Sequence, residues 1–366
     1  MTDSLPYTRV VSGLPATVPF VGPETLERLS GRALKVRIGA NESAFGISPV
    51  AREAMCRSVD EISLYNDPEN FDLAAALARL HGVSAAQIGI GAGIDDLLGL
   101  VVRLFVEAGD PVVTSLGSYP TFNYHVNGFG GCLEQVPYVD DRADLEGLVR
   151  RVVETGAHLV YVANPDNPMG TWHDADAVRS FIAQVPADCI VIVDEAYVDF
   201  APSAALWEMD TSDRRVLRMR TFSKAHGMAG ARVGYAVANE ELVTALGKVR
   251  NHFGVNRVAQ AGALASLGDD GFIRGVIDEV VAGRREYEAL AAELGLKSVP
   301  SATNFVCIDT GGGDRAGAVQ QALLERDVFV RMPSVAPQDR CIRATVGTPE
   351  QRTTFARIFR EVVAAT

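Results

Sequence analysis

The strongest indication of the fold comes from two segments, IVIVDEAYVDF at residues 190–200 and RVLRMRTFSKAHGMAGARVGY at residues 215–235. Each segment contains an apolar, β-prone run that predicts a buried strand, and polar residues follow each run. The first run ends at Asp194, and Lys224 lies just after the second. Ligands of open α/β sheets bind beyond the carboxyl ends of the strands, so we expect this carboxylate and this amine to share a site.

Lysine is scarce in this chain, which makes Lys224 a candidate for chemistry rather than for surface charge. The 34 basic residues include only four lysines: Lys35, Lys224, Lys248 and Lys297. A guanidinium does not lose its proton, whereas a lysine with a lowered pKa becomes a nucleophilic amine. Lys224 lies in a polar, Gly-rich loop, with Tyr197 before it and Arg232 after it.

The length and composition exclude several classes of protein. A chain of 366 residues suits two domains, and 48% apolar with 22% charged residues is typical of a soluble globular protein. A net charge of −12 without a basic run argues against nucleic-acid binding. No apolar stretch approaches the roughly 20 residues that cross a bilayer. The start, MTDSLPYTRV, lacks the basic and apolar regions of a signal peptide.

The cysteines and histidines predict a reduced, metal-free protein of the cytoplasm. The cysteines are odd in number, scattered and without CxxC spacing: Cys56, Cys132, Cys189, Cys307 and Cys341. We expect them to be free thiols, mostly buried as small apolar side chains. The six histidines show no HxxxH or HxH pattern, so we expect no metal site.

Apolar runs alternate with helical patterns through the first two thirds of the chain. PVVTS (111–115) and HLVYVAN (158–164) read as strands, and residues 69–81 and 95–106 read as helices. This alternation predicts an α/β fold with a mixed, mostly parallel sheet flanked by helices.

The pattern changes after about residue 240 and predicts a second, smaller α+β unit. Two long helical stretches, 240–267 and 270–294, precede the short strands 304–310 and 341–347. Helices are expected between and after these strands, at 315–326 and 349–363.

We therefore divide the chain into a large domain (41–250), a small C-terminal domain (251–366) and an N-terminal arm (1–40) that joins the small domain. The first 30 residues are rich in proline and read as irregular, with Pro6, Pro15, Pro19 and Pro23.

Gly-rich and aromatic segments near the predicted strand ends add candidates for binding. GAGIDDLL (91–98) is a Gly-rich turn that opens a helix, and such a turn presents free amides to a phosphate. The dinucleotide pattern GxGxxG fails at Asp96. Tyr119, in GSYPTF, could lie over a flat ring or be a plain loop residue.

Arg331 and Arg343 each lie in a β-prone segment of the C-terminal unit. An arginine among apolar residues needs an anion, which could be a structural carboxylate or a substrate carboxylate or phosphate. Likewise, Asp194 at a strand end could be a structural cap or ion pair. Its neighbour Glu195 should point to the opposite face of the sheet, so the two carboxyls should not share a proton.

NPDNPMG, VIVDEAYVDF, TFSKAHGMAGARVGY and CIRATVGTPEQ occur in this order and spacing from about residue 36 to the C-terminus. In these motifs the chain resembles the fold-type I aminotransferases of class I/II, which depend on pyridoxal 5'-phosphate (PLP), and within them the histidinol-phosphate aminotransferase group. The resemblance implies a large PLP-binding domain and a small domain.

The resemblance also assigns roles around the PLP ring. Lys224 would bind PLP covalently and later move the Cα proton. Asp194 would pair with the pyridine nitrogen, Tyr197 and Asn167 would hydrogen-bond the phenolic oxygen, and Tyr119 would stack on the ring. A carboxylate at the nitrogen suits chemistry in which the protonated ring withdraws electrons from Cα.

Further roles follow for the phosphate and the substrate. The phosphate ligands implied by the resemblance are Gly93, Ile94, Asp95, Thr221, Ser223, Arg232 and, from the neighbouring subunit, Tyr65. Asn41 would line the substrate site, Arg343 would bind the α-carboxylate, and Arg331 is our candidate for a substrate phosphate. We therefore expect a homodimer with composite active sites.

The expected reaction is reversible amino transfer by a ping-pong route, with histidinol phosphate as the donor and 2-oxoglutarate as the acceptor. Alternatives are an aminotransferase for aromatic or other amino acids, a decarboxylase resembling threonine-phosphate decarboxylase, and a non-catalytic PLP-fold protein. The chain departs from the group's usual wording around the substrate, for example with Asp166 and Met169 in NPDNPMG, where NPNNPTG is usual.

Overall fold

The protein is described by a computed structural model over residues 5–16 and 20–366. Its strands are β1 (Val36–Arg37), β2 (Ile88–Gly91), β3 (Pro111–Ser115), β4 (Cys132–Val136), β5 (Leu159–Ala163), β6 (Ile190–Asp194), β7 (Val216–Thr221), β8 (Gly234–Ala238), β9 (Lys297–Ser298), β10 (Phe305–Asp309), β11 (Val328–Phe329) and β12 (Cys341–Thr345). Its α-helices are α1 (Arg9–Gly13), α2 (Pro23–Ser30), α3 (Pro49–Ser58), α4 (Phe71–His81), α5 (Ile94–Phe105), α6 (Pro120–Phe129), α7 (Leu145–Thr155), α8 (Ala175–Gln184), α9 (Glu240–Val249), α10 (Arg257–Ser266), α11 (Asp270–Glu293), α12 (Gly313–Leu324) and α13 (Pro349–Ala365).

A seven-stranded sheet in the order β2-β8-β7-β6-β5-β3-β4 is the centre of the larger unit. Strand β8 runs antiparallel to both of its neighbours, and the other pairs are parallel. The predicted α/β fold with a mixed, mostly parallel sheet is therefore confirmed.

Both faces of this sheet are covered, which explains the nearly continuous apolar strands. Along β5, Leu159 and Tyr161 face a core shared with α5, α6 and α9, whereas Val160 and Val162 face a core shared with α7 and α8. Burial on both sides is what parallel strands require, because the intervening helices pack on both faces. Asp194 lies on the Tyr161 side of the sheet, two residues beyond Ile192.

The smaller unit consists of the antiparallel sheet β12-β10-β9, the parallel pair β1-β11, and helices α11, α12 and α13. Val36 and Ile38 pack into its core with Phe305 and Phe355. The segment around Val36 thus joins the smaller unit by both hydrogen bonds and apolar packing.

The N-terminal segment is more regular than its prolines suggest. Thr8 caps the short helix α1 with its side chain, and Pro23 occupies the first turn of α2, where the missing N–H costs nothing. Helix α1 packs on α6, with Val10 close to Gly130. Pro19 lies outside the described residues, as do residues 1–4, 17 and 18.

The predicted helical stretch 240–267 is two helices. Helix α9 ends at Val249, and the side chain of Asn256 accepts the Ala259 amide to start α10. Helix α10 packs on α3, and Ala259 shares a core with Phe222 of the larger unit. The domain boundary near residue 250 remains a proposal, and this packing favours a boundary after α10.

Of the five free cysteines, Cys189, Cys307 and Cys341 are buried, and Cys56 and Cys132 are exposed. Across residues 5–16 and 20–366, no helix combines the length and the apolar character needed to span a bilayer. The same residues contain no cluster of His, Cys, Asp and Glu that could hold a metal ion.

Candidate active site

The candidate residues collect at the carboxyl ends of β6 and β7. Asp194 is the last residue of β6, Thr221 is the last residue of β7, and the two strands are parallel neighbours. Lys224 follows in the tight turn after β7, where the Gly227 amide donates to its carbonyl at 3.0 Å. The polar residues after these two strands therefore lie at one edge of the sheet, as expected from the sequence.

Asp194 is a buried carboxylate with two hydrogen-bond donors. The Tyr161 hydroxyl donates to its Oδ2 at 2.8 Å, and the Ala196 amide donates to its Oδ1 at 2.9 Å. Burial raises the pKa of Asp194 to about 6, against the lowering effect of these donors and of the Lys224 charge. A buried carboxylate of this kind is stabilised in its ionised form by a nearby cation, such as a protonated ring nitrogen.

Asn41 joins Lys224 to Tyr197. The Lys224 amine donates to the Asn41 carbonyl at 2.9 Å, and the Asn41 amide donates to the Tyr197 hydroxyl at 3.0 Å. Asn41 has a left-handed backbone, with φ of 55°. The Thr345 hydroxyl accepts a hydrogen bond from the backbone N–H of Asn41 and donates one to the side-chain oxygen of Asn41. These contacts place the amine, the phenol and Asn41 around one small volume.

The predicted phosphate turn packs against Arg232. Gly93 has φ of +87°, and a Cβ there would lie 2.5 Å from Nη2 of Arg232. This turn therefore requires glycine both for its backbone and for the close approach of the guanidinium. Gly93 starts the twelve-residue helix α5 without a side-chain cap, so its first amides remain free for an anion.

Two hydroxyls lie beside this turn. Oγ1 of Thr221 donates to Oγ of Ser223 at 2.9 Å, and the Ser223 amide donates to Oγ1 of Thr221 at 3.0 Å. Gly234 passes close by, since a Cβ on it would lie 3.0 Å from the amide nitrogen of Ile94. Hydroxyls, helix amides and a guanidinium together form a cradle suited to a phosphate.

Asp95 is the acidic member of the phosphate turn. It accepts a hydrogen bond from the Tyr119 hydroxyl at 2.7 Å and lies 3.3 Å from Nη2 of Arg232. Burial and the Asp95 charge raise the pKa of Tyr119, which keeps this phenol protonated. The stacking of Tyr119 on a cofactor ring stays a prediction.

The two arginines of the small unit are adjacent. Arg331 and Arg343 exchange backbone hydrogen bonds across an antiparallel bridge, at 3.2 and 2.6 Å. Nη1 of Arg343 donates to Oδ1 of Asn167 at 2.5 Å, and Nη2 of Arg331 donates to the Val21 carbonyl at 2.8 Å. Asn167 thus contacts Arg343, while its predicted bond to the cofactor stays a prediction.

Neither guanidinium has a carboxylate within 4.0 Å among the residues that the structure describes. The buried Nε of Arg343 has no hydrogen-bond partner there either. Burial and the charge of Arg343 lower the pKa of Arg331, as expected for two like charges close together. These observations argue against the structural ion pair that the sequence left open, and they favour an external anion.

Tyr65 does not join the other candidates within one chain. Its side chain is 80% exposed and packs only partly, against Phe253 at a ring-centroid distance of 4.7 Å. Nη2 of Arg257 donates to its carbonyl at 2.6 Å. Tyr65 could therefore serve an active site only if it came from a neighbouring chain.

Glu195 lies on the opposite side of the sheet from Asp194, as strand alternation predicts. It accepts hydrogen bonds from Arg218 at 2.6 Å and from Arg220 at 2.8 Å. Burial by itself raises the pKa of Glu195, but the charges of Arg220 and Arg218 outweigh burial and the net change is downward. The two neighbouring carboxyls thus have separate partners, and Glu195 is structural.

Several residues that support the site were not predicted from the sequence. Tyr161 supplies a donor to Asp194, and the only signal for it was a phenol within the apolar run HLVYVAN. Thr345 and Asn304 both contact Asn41, across more than 260 residues of sequence. Contacts of such long range carry no local pattern, so the sequence could not have identified them.

These residues fit PLP in their chemistry. The glycine-bounded cradle at Gly93 leaves amides and Arg232 available for a phosphate, and Asp194 offers a buried carboxylate on the same side of the sheet. Lys224 lies between Asn41 and Tyr197 with its amine directed to a carbonyl rather than to a carboxylate. The same chain thus offers partners for the phosphate, the ring nitrogen and the aldehyde carbon.

The fold and this constellation define a class of enzyme, and comparison with known proteins agrees. The sequence profile of the aminotransferase class I and II family matches residues 34–359. The chain belongs to this family and is a PLP-dependent aminotransferase, so the predicted enzyme class and cofactor are confirmed.

Within this family, the chain is similar to several histidinol-phosphate aminotransferases. The chain is 37% identical to histidinol-phosphate aminotransferase 2 of Ralstonia nicotianae, over 86% of this chain and 85% of the relative. It is 33% identical to histidinol-phosphate aminotransferase 2 of Carboxydothermus hydrogenoformans, over 97% and 98%. The crystal structure of histidinol-phosphate aminotransferase from Sinorhizobium meliloti in complex with PLP is 46% identical and covers 98% of both chains, with a TM-score of 0.96.

Proposed function

We propose that the protein transfers the amino group of histidinol phosphate to 2-oxoglutarate by a ping-pong route. The observation that carries this proposal is the adjacent pair Arg331 and Arg343, which lacks a carboxylate partner among the described residues. A pair of guanidiniums matches a doubly charged phosphate better than it matches a singly charged carboxylate. The similarity to histidinol-phosphate aminotransferases supports the same donor.

PLP, when bound, withdraws electrons from the bond being broken at Cα of the amino donor. In this proposal Asp194 holds the ring nitrogen in its protonated form, because its buried carboxylate is stabilised by a cation. Tyr161 and the Ala196 amide fix the orientation of that carboxylate. Gly93 and Arg232 hold the phosphate end.

Lys224 moves the proton. Its amine is held by the Asn41 carbonyl and lies 5.4 Å from the ring centroid of Tyr197. Its free amine would accept the Cα proton of the bound donor and return it later in the reaction. Asn41 and Tyr197 restrict the space through which the amine moves.

Arg331→Ala and Arg343→Ala should differ in which amino donors they weaken. Histidinol phosphate carries no α-carboxylate, and its phosphate would contact both guanidiniums, whereas the α-carboxylate of glutamate would contact Arg343 alone. Arg343→Ala should therefore weaken both donors, and Arg331→Ala should weaken mainly the phosphorylated one. The loss of a charge-assisted hydrogen bond costs about 1.5–3 kcal/mol, or about ten- to a hundredfold in kcat/KM. Steady-state kinetics with both donors in both variants tests this.

The same experiment distinguishes the alternatives. Equal losses for the two donors in Arg331→Ala would assign Arg331 a structural role, such as its bond to the Val21 carbonyl. Good turnover of aromatic amino acids without turnover of histidinol phosphate would favour an aromatic aminotransferase. Release of carbon dioxide without consumption of a 2-oxo acid would identify a decarboxylase.

We also propose that the active protein is a homodimer whose sites combine residues of both chains. Tyr65 is exposed on a surface that also exposes Ile62, Leu64 and Phe253. Tyr65 is not buried in the core of its own chain. Association with a second copy would place it against the phosphate cradle of that copy. This apolar surface supports the association.

Mixing two inactive variants should restore activity if the sites are composite. In a hybrid of Lys224→Ala with Tyr65→Ala, one of the two sites receives an intact lysine and an intact tyrosine. Random exchange makes about half of the dimers hybrids, so about a quarter of wild-type activity is expected. Activity assays after mixing, with sedimentation to record the dimer, provide the measurement.

The matched control mixes Lys224→Ala with Asp194→Asn, two residues that one chain supplies together. In every hybrid of this pair each site lacks one of the two, so no recovery is expected. Recovery in the control, or an active monomer in sedimentation, would contradict composite sites.

A reduced cytoplasm stays our proposed location, in keeping with the five free cysteines.

A further inference from the structure

Asp166 is a buried carboxyl group in the loop whose next residue, Asn167, contacts Arg343. It is 3% exposed, and both of its oxygens accept hydrogen bonds. The Tyr138 hydroxyl donates to Oδ1 at 2.7 Å, and the Met169 amide donates to Oδ2 at 2.8 Å. The roles proposed above for the cofactor and the substrate leave this group unused.

The loop that carries Asp166 is a closed turn. The Asp166 amide donates to the Thr171 carbonyl at 2.8 Å, and the Gly170 amide donates to the Asp166 carbonyl at 3.1 Å. Together with the Met169 contact, these bonds fix the backbone on both sides of Asn167. Asn167 in turn accepts the hydrogen bond of Arg343, so the carboxyl group of Asp166 is one residue away from a ligand of that guanidinium.

The charged and titratable groups that interact with Asp166 come from five different parts of the described chain. They are Tyr138 after β4, Tyr161 of β5, Asp194 at the end of β6, Cys307 of β10 and Arg343 of β12. Arg343 is the cation among them, and no carboxylate of the described chain lies within 4.0 Å of its guanidinium. Asp166 therefore provides a buried counter-charge to Arg343 at longer range.

We propose that Asp166 is a positioning residue for the substrate anion: it fixes the turn that presents Asn167 to Arg343 and places a buried carboxyl group near that guanidinium. It acts through Asn167 and Arg343 and does not itself contact the substrate. The proposal rests on the assignment of Arg343 to an anionic group of the substrate.

The charge on Asp166 is expected to change near neutral pH. Burial raises its pKa to about 7, although the Met169 amide, the Tyr138 hydroxyl and Arg343 act in the opposite direction. The group is neutral below this pH and ionised above it. An ionised Asp166 reduces the positive potential at Arg343, so the affinity for an anion should fall as the pH rises through about 7. Binding of the anion should conversely take up a proton.

The test measures binding of glutarate, a dicarboxylate without an amino group, to the PLP-loaded enzyme by titration calorimetry. The wild type should bind glutarate about three- to tenfold more weakly at pH 8 than at pH 6. Its binding enthalpy should depend on the buffer because a proton is taken up. Asp166→Asn should bind with nearly the same affinity at both values and without proton uptake.

Asparagine suits this test because its amide oxygen can still accept the Met169 N–H, so the turn is kept. Tyr138→Phe gives a second reading. It removes a donor that lowers the pKa of Asp166, so the inflection should move to higher pH by about one unit. Repeating each measurement in the Lys224→Ala background shows whether the pH dependence persists without the lysine.

The outcomes separate this inference from the proposed function. If Arg343→Ala binds glutarate as the wild type does, the assignment of Arg343 to a substrate anion is wrong. If Arg343→Ala weakens binding but Asp166→Asn keeps the full pH dependence and the proton uptake, the role of Asp166 is wrong and the assignment of Arg343 stands. An unshifted inflection in Tyr138→Phe would also overturn the role of Asp166.

Discussion

Lys224→Ala is expected to lower the rate of amino transfer by about 10⁴-fold or more, while PLP still binds. In the proposed function Lys224 supplies both the covalent attachment and the proton transfer, so the alanine variant should lose both. Retention of the cofactor is expected because the glycine turn at Gly93, Arg232 and the hydroxyls of Thr221 and Ser223 are unchanged. Single-turnover kinetics with glutamate, together with the visible absorbance of bound PLP, provides the measurement.

Two controls show which property of the lysine matters. Lys224→Arg keeps the positive charge near the Asn41 carbonyl but cannot lose its proton, so it should be as inactive as the alanine variant. Lys248→Ala removes an exposed lysine of α9 and should leave the activity unchanged. Borohydride reduction and peptide mapping should place a pyridoxyl label on Lys224, and a label on Lys35, Lys248 or Lys297 would contradict the assignment.

The large sheet was predictable because its strands are buried on both faces. A run such as Leu159–Ala163 is apolar at every position, and this pattern extends over several strands. The helix breaks were predicted less well. The prediction of one helical stretch over 240–267 overlooked the segment RNHFGVN (250–256), in which Gly254 and two asparagines are poor helix formers and the side chain of Asn256 starts α10. The helix α1 was missed because five residues are too few to show a period.

The residues of the site also differ in how well the sequence predicts their positions. Asp194 and Lys224 could be located from the sequence because parallel strands place their carboxyl ends at one edge, so local position predicts proximity. The bridge between Arg331 and Arg343 depends on the pairing of two segments in a different unit. Only the resemblance to a family pointed to Asn41, whose partners Tyr197 and Thr345 lie far along the chain.

Asp194→Asn is expected to reduce kcat/KM by on the order of 10²–10³-fold without unfolding the protein. The amide cannot stabilise a positive charge on the ring nitrogen, and the loss of one partner from a buried ion pair costs about 3–5 kcal/mol. The Tyr161 hydroxyl and the Ala196 amide can still hydrogen-bond the new side chain, so its position should be kept. Steady-state kinetics with saturating PLP measures the loss, and turnover within a few-fold of wild type would contradict the role.

Thermal unfolding without the cofactor provides an independent check, with Glu195→Gln as the matched variant on the other face of the sheet. Burial raises the pKa of Asp194 to about 6, so the ionised group opposes folding, and the stability of the wild type should fall as pH rises from about 4 to about 6. Asp194→Asn removes this cost and should not lower Tm at pH 7. Ionisation of Glu195 has the opposite effect on stability, because Arg218 and Arg220 stabilise its charge. Glu195→Gln should therefore lower Tm. If Asp194→Asn lowered Tm as much as Glu195→Gln does, Asp194 would be a structural ion-pair partner and its loss of activity would reflect unfolding.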